Sequence, residues 1–438
     1  MAKNEKLNVK SVRWTAAEPP AAVEEFLKRP AIDPAAEKIA AKALAAIKAR
    51  GDEAVLEYIE KFDGAKLTTD NLRVTPEERQ KARAAVDDDF KRAAREAQRR
   101  ITRFAEAGIR KDWNITSPKG GMIGERFVPL DRVGVYIPGG AAPLASTAMM
   151  TIVLARAAGV PEVVACTPAD KDGNINPALL YAIDFAGATE IFKIGGIQAI
   201  GAMAYGTATV GKVQKIVGPG GPFVTAAKRL VYGEVSLDMV AGPSEIAVLA
   251  DDSISAAFVA ADLLSQAEHG SGAEKVLLVT PSERLAEGVA RELLKQSDTL
   301  PRRDFVRKVL QQGMLIVVTD NLDIGMDICN RFAPEHFEIM VQEPRRWIQK
   351  VRAAGAVFAG PWTPESAGDF AIGPSHVLPT GGTAAFFSGL TVDDFQRRMS
   401  VMSLTRADLV ELLPVIEAFG RVEGLEAHAR SARIRFEV

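Results

Sequence analysis

Short runs rich in valine and isoleucine, each ending near a glycine, a proline or an aspartate, recur along the chain and alternate with helical stretches. A first series reads RVGVYIPGG, EVVACTP, EIFKIGG and KIVGPGG. A second series reads SEIAVLAD, KVLLVTP, MLIVVTD, HFEIMV and GAVFAG. Continuous apolar runs that alternate with helices are typical of parallel strands covered by helices on both faces. The sequence therefore predicts an α/β fold with two doubly wound units in tandem, whose strand ends could gather ligands.

The segment before these runs has helical character. One amphipathic helix is expected from Asp33, as its N-cap, to Gly51. A second begins at Thr75, which has capping-box spacing with Glu78, and its charged pattern continues to Gly108. We interpret both helices as packing elements with solvated faces and no chemistry.

These patterns divide the 438 residues into five parts, as expected for a chain longer than one hydrophobic core supports. The helical segment is expected to pack with the second α/β unit. The predicted parts are an N-terminal arm (1–30), the helical segment (31–128), the first unit (129–240), the second unit (241–385) and a C-terminal tail (386–438).

Composition excludes several classes of partner. The 54 basic and 56 acidic side chains give a net charge of -2, which favours neither nucleic acid nor an anionic membrane. Cys166 and Cys329 are the two cysteines, too few for a disulfide framework or a thiolate metal site. The first thirty residues lack the layout of a secretory signal, and the longest apolar stretch is shorter than the ~20 residues of a membrane span. A cytoplasmic protein is expected.

The histidines are few and lie in polar or glycine-containing settings: His269, His336, His376 and His428. In DLLSQAEHG, Gln266 and His269 are neighbours on one helix face and could hold a cation. The alternative is a polar helix end whose histidine contacts the terminal carbonyls. Asp369 could add an oxygen ligand and His428 a second nitrogen. Such a set suits Zn²⁺ or a similar divalent ion, with positions left for substrate.

In APEHFEIMV, Glu335 and His336 lie side by side just before an apolar run. Taken alone, such a pair is typical of a strand end that Glu335 caps or solvates, with His336 as a half-buried spacer. The usual dinucleotide, P-loop, zincin and α/β-hydrolase motifs are absent from the sequence. Glycine pairs do end three runs of the first unit, at 139–140, 195–196 and 220–221, where backbone amides could approach a pyrophosphate.

Taken in order, DLLSQAEHG, APEHFE, SAGDFAIGPSHVLPTGG and EGLEAH resemble the motifs of the histidinol dehydrogenase family, NAD-dependent enzymes of histidine biosynthesis. The motifs VYIPGG, GGIQAIGAMAYGT and DMVAGPSE extend the resemblance over nearly the whole chain from about residue 30. It implies one Zn²⁺ per subunit, an acid–base pair and NAD as cofactor. The residues implied are Gln266, His269, Asp369 and His428 for zinc; Glu335 and His336 for acid–base catalysis; Ser244, His376 and Glu423 for substrate; and Tyr136, Gln198 and Gly221 for NAD.

The resemblance also implies two incomplete Rossmann-like units and a homodimer, in which the tail reaches across to complete the partner's site with Glu423 and His428. The implied reaction is a four-electron oxidation of a small amino alcohol, L-histidinol, to L-histidine through bound L-histidinal. It is the last step of histidine biosynthesis. His336 would take the alcohol proton, and Glu335 would activate water for the second oxidation.

The chain departs from the family pattern at two places. Gly221 replaces an asparagine that contacts the cofactor, and Pro374-Ser375 replaces Thr-Asn or Ala-Asn before His376. Both changes concern the cofactor or substrate side. One alternative is therefore a paralogue that oxidises another primary alcohol, such as a sulfonated diol, to its acid. A second is a non-enzymatic metal-binding protein, which would leave the Glu335–His336 pair unexplained.

Overall fold

The computed structural model describes residues 9–15, 20–29, 33–139, 143–240 and 242–437. It is a mixed α/β protein with two parallel sheets and one small antiparallel sheet. The predicted α/β class is therefore confirmed, and each predicted apolar run forms a strand of a parallel sheet.

The strands are numbered in chain order. They are β1 (Ser11–Arg13), β2 (Trp113–Thr116), β3 (Met122–Pro129), β4 (Arg132–Tyr136), β5 (Glu162–Cys166), β6 (Glu190–Phe192), β7 (Lys215–Val217), β8 (Ser236–Leu237), β9 (Glu245–Ala250), β10 (Lys275–Thr280), β11 (Met314–Val318), β12 (His336–Met340), β13 (Ala356–Ala359) and β14 (Gln396–Ser403).

The helices are numbered in the same way. They are α1 (Ala21–Leu27), α2 (Pro34–Arg50), α3 (Asp52–Asp63), α4 (Pro76–Ala85), α5 (Asp88–Gly108), α6 (Ala145–Ala157), α7 (Pro177–Ala186), α8 (Gly196–Tyr205), α9 (Pro222–Leu230), α10 (Ala256–Ala267), α11 (Glu283–Ser297), α12 (Arg303–Gln312), α13 (Leu322–Phe332), α14 (Pro344–Ile348), α15 (Glu365–Phe370), α16 (Arg406–Glu423) and α17 (Glu426–Arg433). Within the described ranges, none of these helices is both long and apolar enough to cross a membrane.

The first parallel sheet has the strand order β6-β5-β4-β7-β8. Alternate residues of its strands enter two separate cores: Val133 and Val135 pack with α5, α6 and α7, whereas Tyr136 and Val164 pack with α2, α3, α8 and α9. Because both faces are covered, the strands are apolar throughout, which explains their continuous hydrophobic sequences.

The second parallel sheet has the order β1-β11-β10-β9-β12-β13. Apart from β1, this order matches that of the first sheet. If β4–β8 and β9–β13 are each counted from one to five, the strands of both sheets lie in the order three, two, one, four, five. Strand β1 pairs with β11, and Val23 and Phe26 of α1 are buried in the core beneath this sheet. The described part of the N-terminal arm therefore contains a strand and a helix. Its remaining residues, like Gly140 of the first glycine pair, lie outside the described residues.

The helical segment packs against the first sheet, so the predicted contact with the second unit is wrong. Helix α2 contacts α8 and α9, α4 contacts α7, and α5 contacts α6. Ala40 and Leu44 of α2 share a core with Ile200 of α8. The apolar face of an amphipathic helix predicts that it is buried, but not against which sheet.

The helix expected from Thr75 to Gly108 is two helices. The capping box of Thr75 and Glu78 is present and begins α4, and the helix expected after Asp33 is α2. Between α4 and α5, Val86 is extended, and the side chain of Asp87 accepts a hydrogen bond from Phe90 N. Asp87 therefore acts as a new N-cap and restarts the helix in a different direction.

The tail forms an extension beyond both parallel sheets. Strand β14 pairs antiparallel with β3, and α16 packs against α17. Many apolar side chains on this extension are exposed. On α16 and the turn that follows, they are Val410, Leu412, Val415, Phe419, Val422 and Leu425, with exposed fractions between 41% and 82%.

Candidate active site

A cluster of polar side chains is buried at the amino end of the second sheet. His336 is the first residue of β12 and pairs with Ile246 of β9 and Ala356 of β13. Ligand sites of parallel sheets usually lie at the carboxyl ends of the strands. Here α10 runs back from the carboxyl end of β9, so its last turn returns Gln266 to the amino end, with His269 just beyond it.

The imidazole of His336 is surrounded by polar groups. Its Nδ1 lies 2.9 Å from Gln266 Nε2 and 3.3 Å from the carbonyl oxygen of Glu245. Its Nε2 lies 3.3 Å from Asp369 Oδ1 and 3.9 Å from Glu365 Oε1. Burial by itself would lower the pKa of His336, but the charges of Glu335 and Asp369 and the hydrogen bond to Asp369 raise it to about 10.

Glu335 is buried beside this ring. Its Oε2 accepts a hydrogen bond of 2.9 Å from the backbone N–H of Glu245 and lies 3.8 Å from His336 Nδ1. Burial raises the pKa of Glu335 to about 8, although the neighbouring histidine opposes the shift. A carboxyl group with such a pKa can both take up and release a proton near neutral pH. The Glu335–His336 pair is thus buried and is not a solvated strand end.

Three side chains at this position have the arrangement of metal ligands. One potential ligand atom from each of His269, Glu365 and Asp369 lies within 4.8 Å of the other two. His269 is exposed, whereas the two carboxylates are buried. Ser244, a predicted substrate contact, places its Oγ 3.2 Å from His269 Nδ1. The predicted pair His269 and Asp369 is therefore brought together, and Ser244 lies beside it.

Gln266 fits the same centre through its amide oxygen. Its Nε2 donates a hydrogen bond of 2.9 Å to Glu365 Oε1, which orients the amide. The opposite atom, Oε1, is buried and has no hydrogen-bond partner among the described residues. A buried orphan oxygen is costly unless a ligand satisfies it. A divalent cation among these donors would do so, and histidine nitrogen with carboxylate and amide oxygens is a donor set suited to Zn²⁺.

Glu365 is the site residue that sequence reasoning missed. Besides Gln266, it accepts a hydrogen bond of 2.6 Å from Ser265 Oγ, and its backbone N–H donates to Glu338 Oε1. Burial and the charge of Asp369 raise the pKa of Glu365 to about 8. A signal was present, because Glu365 and Asp369 are four residues apart in a short helix and such residues share one face.

His376 connects the site to the first unit. Its Nδ1 lies 2.9 Å from the carbonyl oxygen of Asp369, and its Nε2 lies 3.1 Å from Thr147 Oγ1 in the first turn of α6. The Nδ1–H therefore donates to the carbonyl, and Nε2 accepts from the hydroxyl. Since α6 follows β4, the site lies where the carboxyl side of the first sheet meets the amino side of the second.

Glu423 and His428 are not brought to this cluster within one subunit. Glu423 ends α16 and His428 lies on α17, and both side chains are exposed. These two helices pack mainly against each other. Within the part of the chain that the structure describes, the centre is thus built from Gln266, His269 and Asp369 together with Glu365.

The three predicted cofactor residues lie together at the carboxyl edge of the first sheet. Tyr136 ends β4, and its hydroxyl accepts a hydrogen bond of 3.2 Å from the backbone N–H of Gly196. Gln198 is fully buried, and its Nε2 donates 2.9 Å to Asp63 Oδ2. Gly221 precedes α9, and no atom lies within 4 Å of the position that a Cβ would take there. The helical segment therefore contributes a polar group, Asp63, to this edge.

Together, the fold and the two polar regions define an α/β protein with a buried histidine–carboxylate centre between two parallel sheets. The sequence model of the histidinol dehydrogenase family matches residues 27–436. Histidinol dehydrogenase of Heliobacterium mobile is 45% identical over 415 residues, covering 94% of this chain and 97% of its own. This chain therefore belongs to the histidinol dehydrogenase family, a family of oxidoreductases, and the resemblance inferred from its motifs is confirmed.

Other relatives agree in length and fold. Histidinol dehydrogenase of Geobacillus kaustophilus is 46% identical over 394 residues, covering 90% of this chain and 92% of its own. The crystal structure of histidinol dehydrogenase from Elizabethkingia anophelis matches with a TM-score of 0.92 at 36% identity, and the match covers 98% of each chain.

Proposed function

We propose that this protein oxidises L-histidinol to L-histidine through bound L-histidinal, the last step of histidine biosynthesis, with NAD as the hydride acceptor and Zn²⁺ as a resident metal. The observation that carries the proposal is the grouping of His269, Glu365 and Asp369 within 4.8 Å, beside the buried Glu335–His336 pair, in a chain of this family. The metal ligands and the proton-transfer groups of the proposed reaction are thereby adjacent.

Zn²⁺ would be held by Gln266 Oε1, His269 and Asp369, with His428 of a second subunit as a further ligand. Glu365 would orient Gln266, since ligating groups are usually fixed by a second hydrogen bond. When bound, the metal would orient the substrate hydroxyl and offset the negative charge of the carboxylates.

The protein's own residues would move the protons. With a bound cation offsetting the carboxylate charges that raise its pKa, His336 Nε2, the ring nitrogen that faces Asp369 and Glu365, would be deprotonated and would take the proton of the alcohol as it is oxidised. Glu335 Oε2 is occupied by the backbone N–H of Glu245, so Oε1 would take the proton of the water that adds to the aldehyde. NAD, when bound, accepts hydride in each of the two oxidations.

We further propose that each parallel sheet is an incomplete Rossmann-like unit and that the first, residues 129–240, binds NAD. The strand order shared by the two sheets is that of the six-stranded doubly wound dinucleotide-binding fold without its last strand. Tyr136, Gln198 and Gly221 lie at the carboxyl edge of the first sheet. A glycine fingerprint is not a requirement of this proposal, because the glycine pair that follows β7 leaves exposed backbone at Gly221. The two free, buried thiols are compatible with the cytoplasmic location that we expected.

The two departures from the family pattern give no support to a different substrate. Ser375 is buried, and its Oγ donates to the carbonyl of Met150 and accepts from Val377 N, so its hydroxyl is satisfied by backbone groups. At Gly221, the open space would accommodate an asparagine, and its absence removes one contact without blocking the surface.

A substrate panel tests the proposal. At saturating NAD⁺, L-histidinol is expected to yield two NADH per molecule, whereas sulfonated and other simple diols yield little, as read by absorbance. A preference for a sulfonated diol would establish the paralogous activity. Absence of NADH formation with every alcohol, in protein shown to carry metal, would favour the non-enzymatic alternative.

We propose that the active form is a homodimer whose tails, residues 386–438, complete the partner's site. Several apolar side chains of α16 are exposed. Monomeric proteins rarely expose large apolar patches to solvent. Glu423 and His428 extend from the same two-helix tail without a role in their own subunit's cluster. Burial of the apolar surface in a dimer would place the tail against a second copy of the chain.

Subunit mixing distinguishes shared from separate sites. His428→Ala and His336→Ala subunits are each expected to be inactive alone, but a mixed dimer would contain one site with both wild-type residues. About one quarter of wild-type activity is expected when the exchange of equal amounts is random, since half of the dimers are mixed and each has one intact site. No recovery, despite exchange demonstrated by mass spectrometry, would mean that each site belongs to one chain.

A further inference from the structure

Asp63, from the helical segment, lies at the carboxyl edge of the first sheet. It is the last residue of α3 and is half-buried. Its Oδ2 accepts the hydrogen bond from Gln198 Nε2, and the described residues provide no donor to its Oδ1. Gln198 Oε1 is also buried, and no described residue donates a hydrogen bond to it. One carboxylate oxygen and one amide oxygen at this edge are therefore available as acceptors.

The position of Asp63 relative to the strands is informative. A Cβ added at Gly195, which follows β6, would lie 2.7 Å from Pro168 Cβ and 3.1 Å from Asp63 Oδ2. Pro168 comes two residues after the end of β5, the second strand of the series. The Asp63 carboxylate is thus beside the carboxyl end of β5. Because residue 195 is a glycine, no side chain there fills the space next to this carboxylate.

In doubly wound nucleotide-binding units, a carboxylate near the end of the second strand accepts hydrogen bonds from the ribose of NAD. The chain has no carboxylate immediately after β5, where Thr167 and Pro168 follow. The next acidic residue, Asp170, uses its Oδ1 to accept from the backbone of Asp172 and Asn174 within its own turn. Asp63 is the described carboxylate that reaches this position.

We propose that Asp63 binds the adenosine ribose hydroxyls of NAD and selects NAD over NADP. Asp63 Oδ1 would accept a hydrogen bond from the 2′-hydroxyl. Gln198 would position the Asp63 carboxylate through its hydrogen bond to Oδ2. The charge would repel the 2′-phosphate of NADP, since two negative groups in contact are strongly unfavourable. The inference rests on the proposed function, because it presupposes that the first sheet binds NAD.

Direct binding tests the role of Asp63 independently of catalysis. Dissociation constants for NADH and NADPH are measured by nucleotide fluorescence at pH 8, where the carboxylate is ionised, for the metal-loaded protein. Asp63→Asn keeps an acceptor for Gln198 and should fold. It is expected to weaken NADH binding by about 10-fold or more, the effect of losing a hydrogen bond to a charged group. The dissociation constant for NADPH divided by that for NADH should also fall by about tenfold or more, because the variant no longer repels the 2′-phosphate.

Glu60→Gln on the same helix is the matched control, since Glu60 is exposed and faces Lys66 at 3.7 Å. It should leave both constants unchanged, and thermal melting should be similar for all three proteins. If the wild-type protein binds NADH and the Asp63→Asn variant has the same two dissociation constants as the wild type, the role of Asp63 is overturned and the proposed cofactor is not. Wild-type protein that binds no NADH would overturn the proposed cofactor and this inference with it.

Discussion

His336→Asn is expected to lower the rate of alcohol oxidation by about two to four orders of magnitude, the usual effect of removing a positioned general base. Asparagine retains a polar group beside Gln266 and Asp369 but cannot take up the proton. The NADH formed in a single turnover would be followed by stopped-flow absorbance at saturating L-histidinol and NAD⁺. A loss of less than tenfold would mean that another group takes the alcohol proton.

Glu335→Gln separates the two oxidations. The amide can still accept from the backbone N–H of Glu245, so the fold is maintained, but it cannot take a proton from water. About one NADH per site should form quickly and the second slowly, with an aldehyde that a carbonyl reagent traps. Equal slowing of both steps would show that Glu335 maintains geometry instead, and its assigned role would be withdrawn.

Removal of a metal ligand is the second large effect expected. His269→Ala and Asp369→Ala should abolish metal retention and activity together, because each removes one donor from a centre with few protein ligands. Gln266→Ala should weaken retention. Glu365→Gln should lower metal affinity by about 10-fold to 100-fold, the usual effect of losing a group that orients a ligand.

Metal content would be measured by mass spectrometry after dialysis against a weak chelator. Glu268→Ala is the control, since Glu268 adjoins His269 and caps α10 through its backbone only. It should retain metal and activity. Full zinc content in the His269→Ala protein would remove that residue from the centre, and loss as complete in Glu365→Gln as in Asp369→Ala would make Glu365 a direct ligand.

Some parts of the site could be read from the sequence because their signals are local. The adjacency of Glu335 and His336, and the spacing of Gln266 and His269, follow from neighbouring positions in the chain. Glu365 lies four residues before Asp369, which is a comparable local signal. This spacing indicates a site only when both side chains are known to lie opposite His336. That arrangement depends on α15 packing beside α10, which no short sequence pattern specifies.

The helical segment shows a different limit. The apolar faces of α2 and α5 predict burial correctly, yet they do not indicate which sheet is covered, because either sheet offers a similar apolar surface. The choice is made by the fit of side chains from distant segments, as where Leu44 meets Ile200. The same packing carries Asp63 to the edge of the first sheet, so a residue with no functional motif becomes a candidate for cofactor binding.

By itself, the sequence determined the α/β class, the strands of both parallel sheets except β1 and β8, and the family. Hydrophobic periodicity and ordered motifs are properties of contiguous residues. Only the tertiary structure decided the strand orders, the location of the centre at the amino end of the second sheet, and the inclusion of Glu365. It also decided that Glu423 and His428 stay exposed and outside the cluster of their own subunit. These features depend on contacts between residues far apart in the chain, such as Gln266 and Glu365. The free energies of such contacts arise from shape and burial and leave no periodic pattern in the sequence.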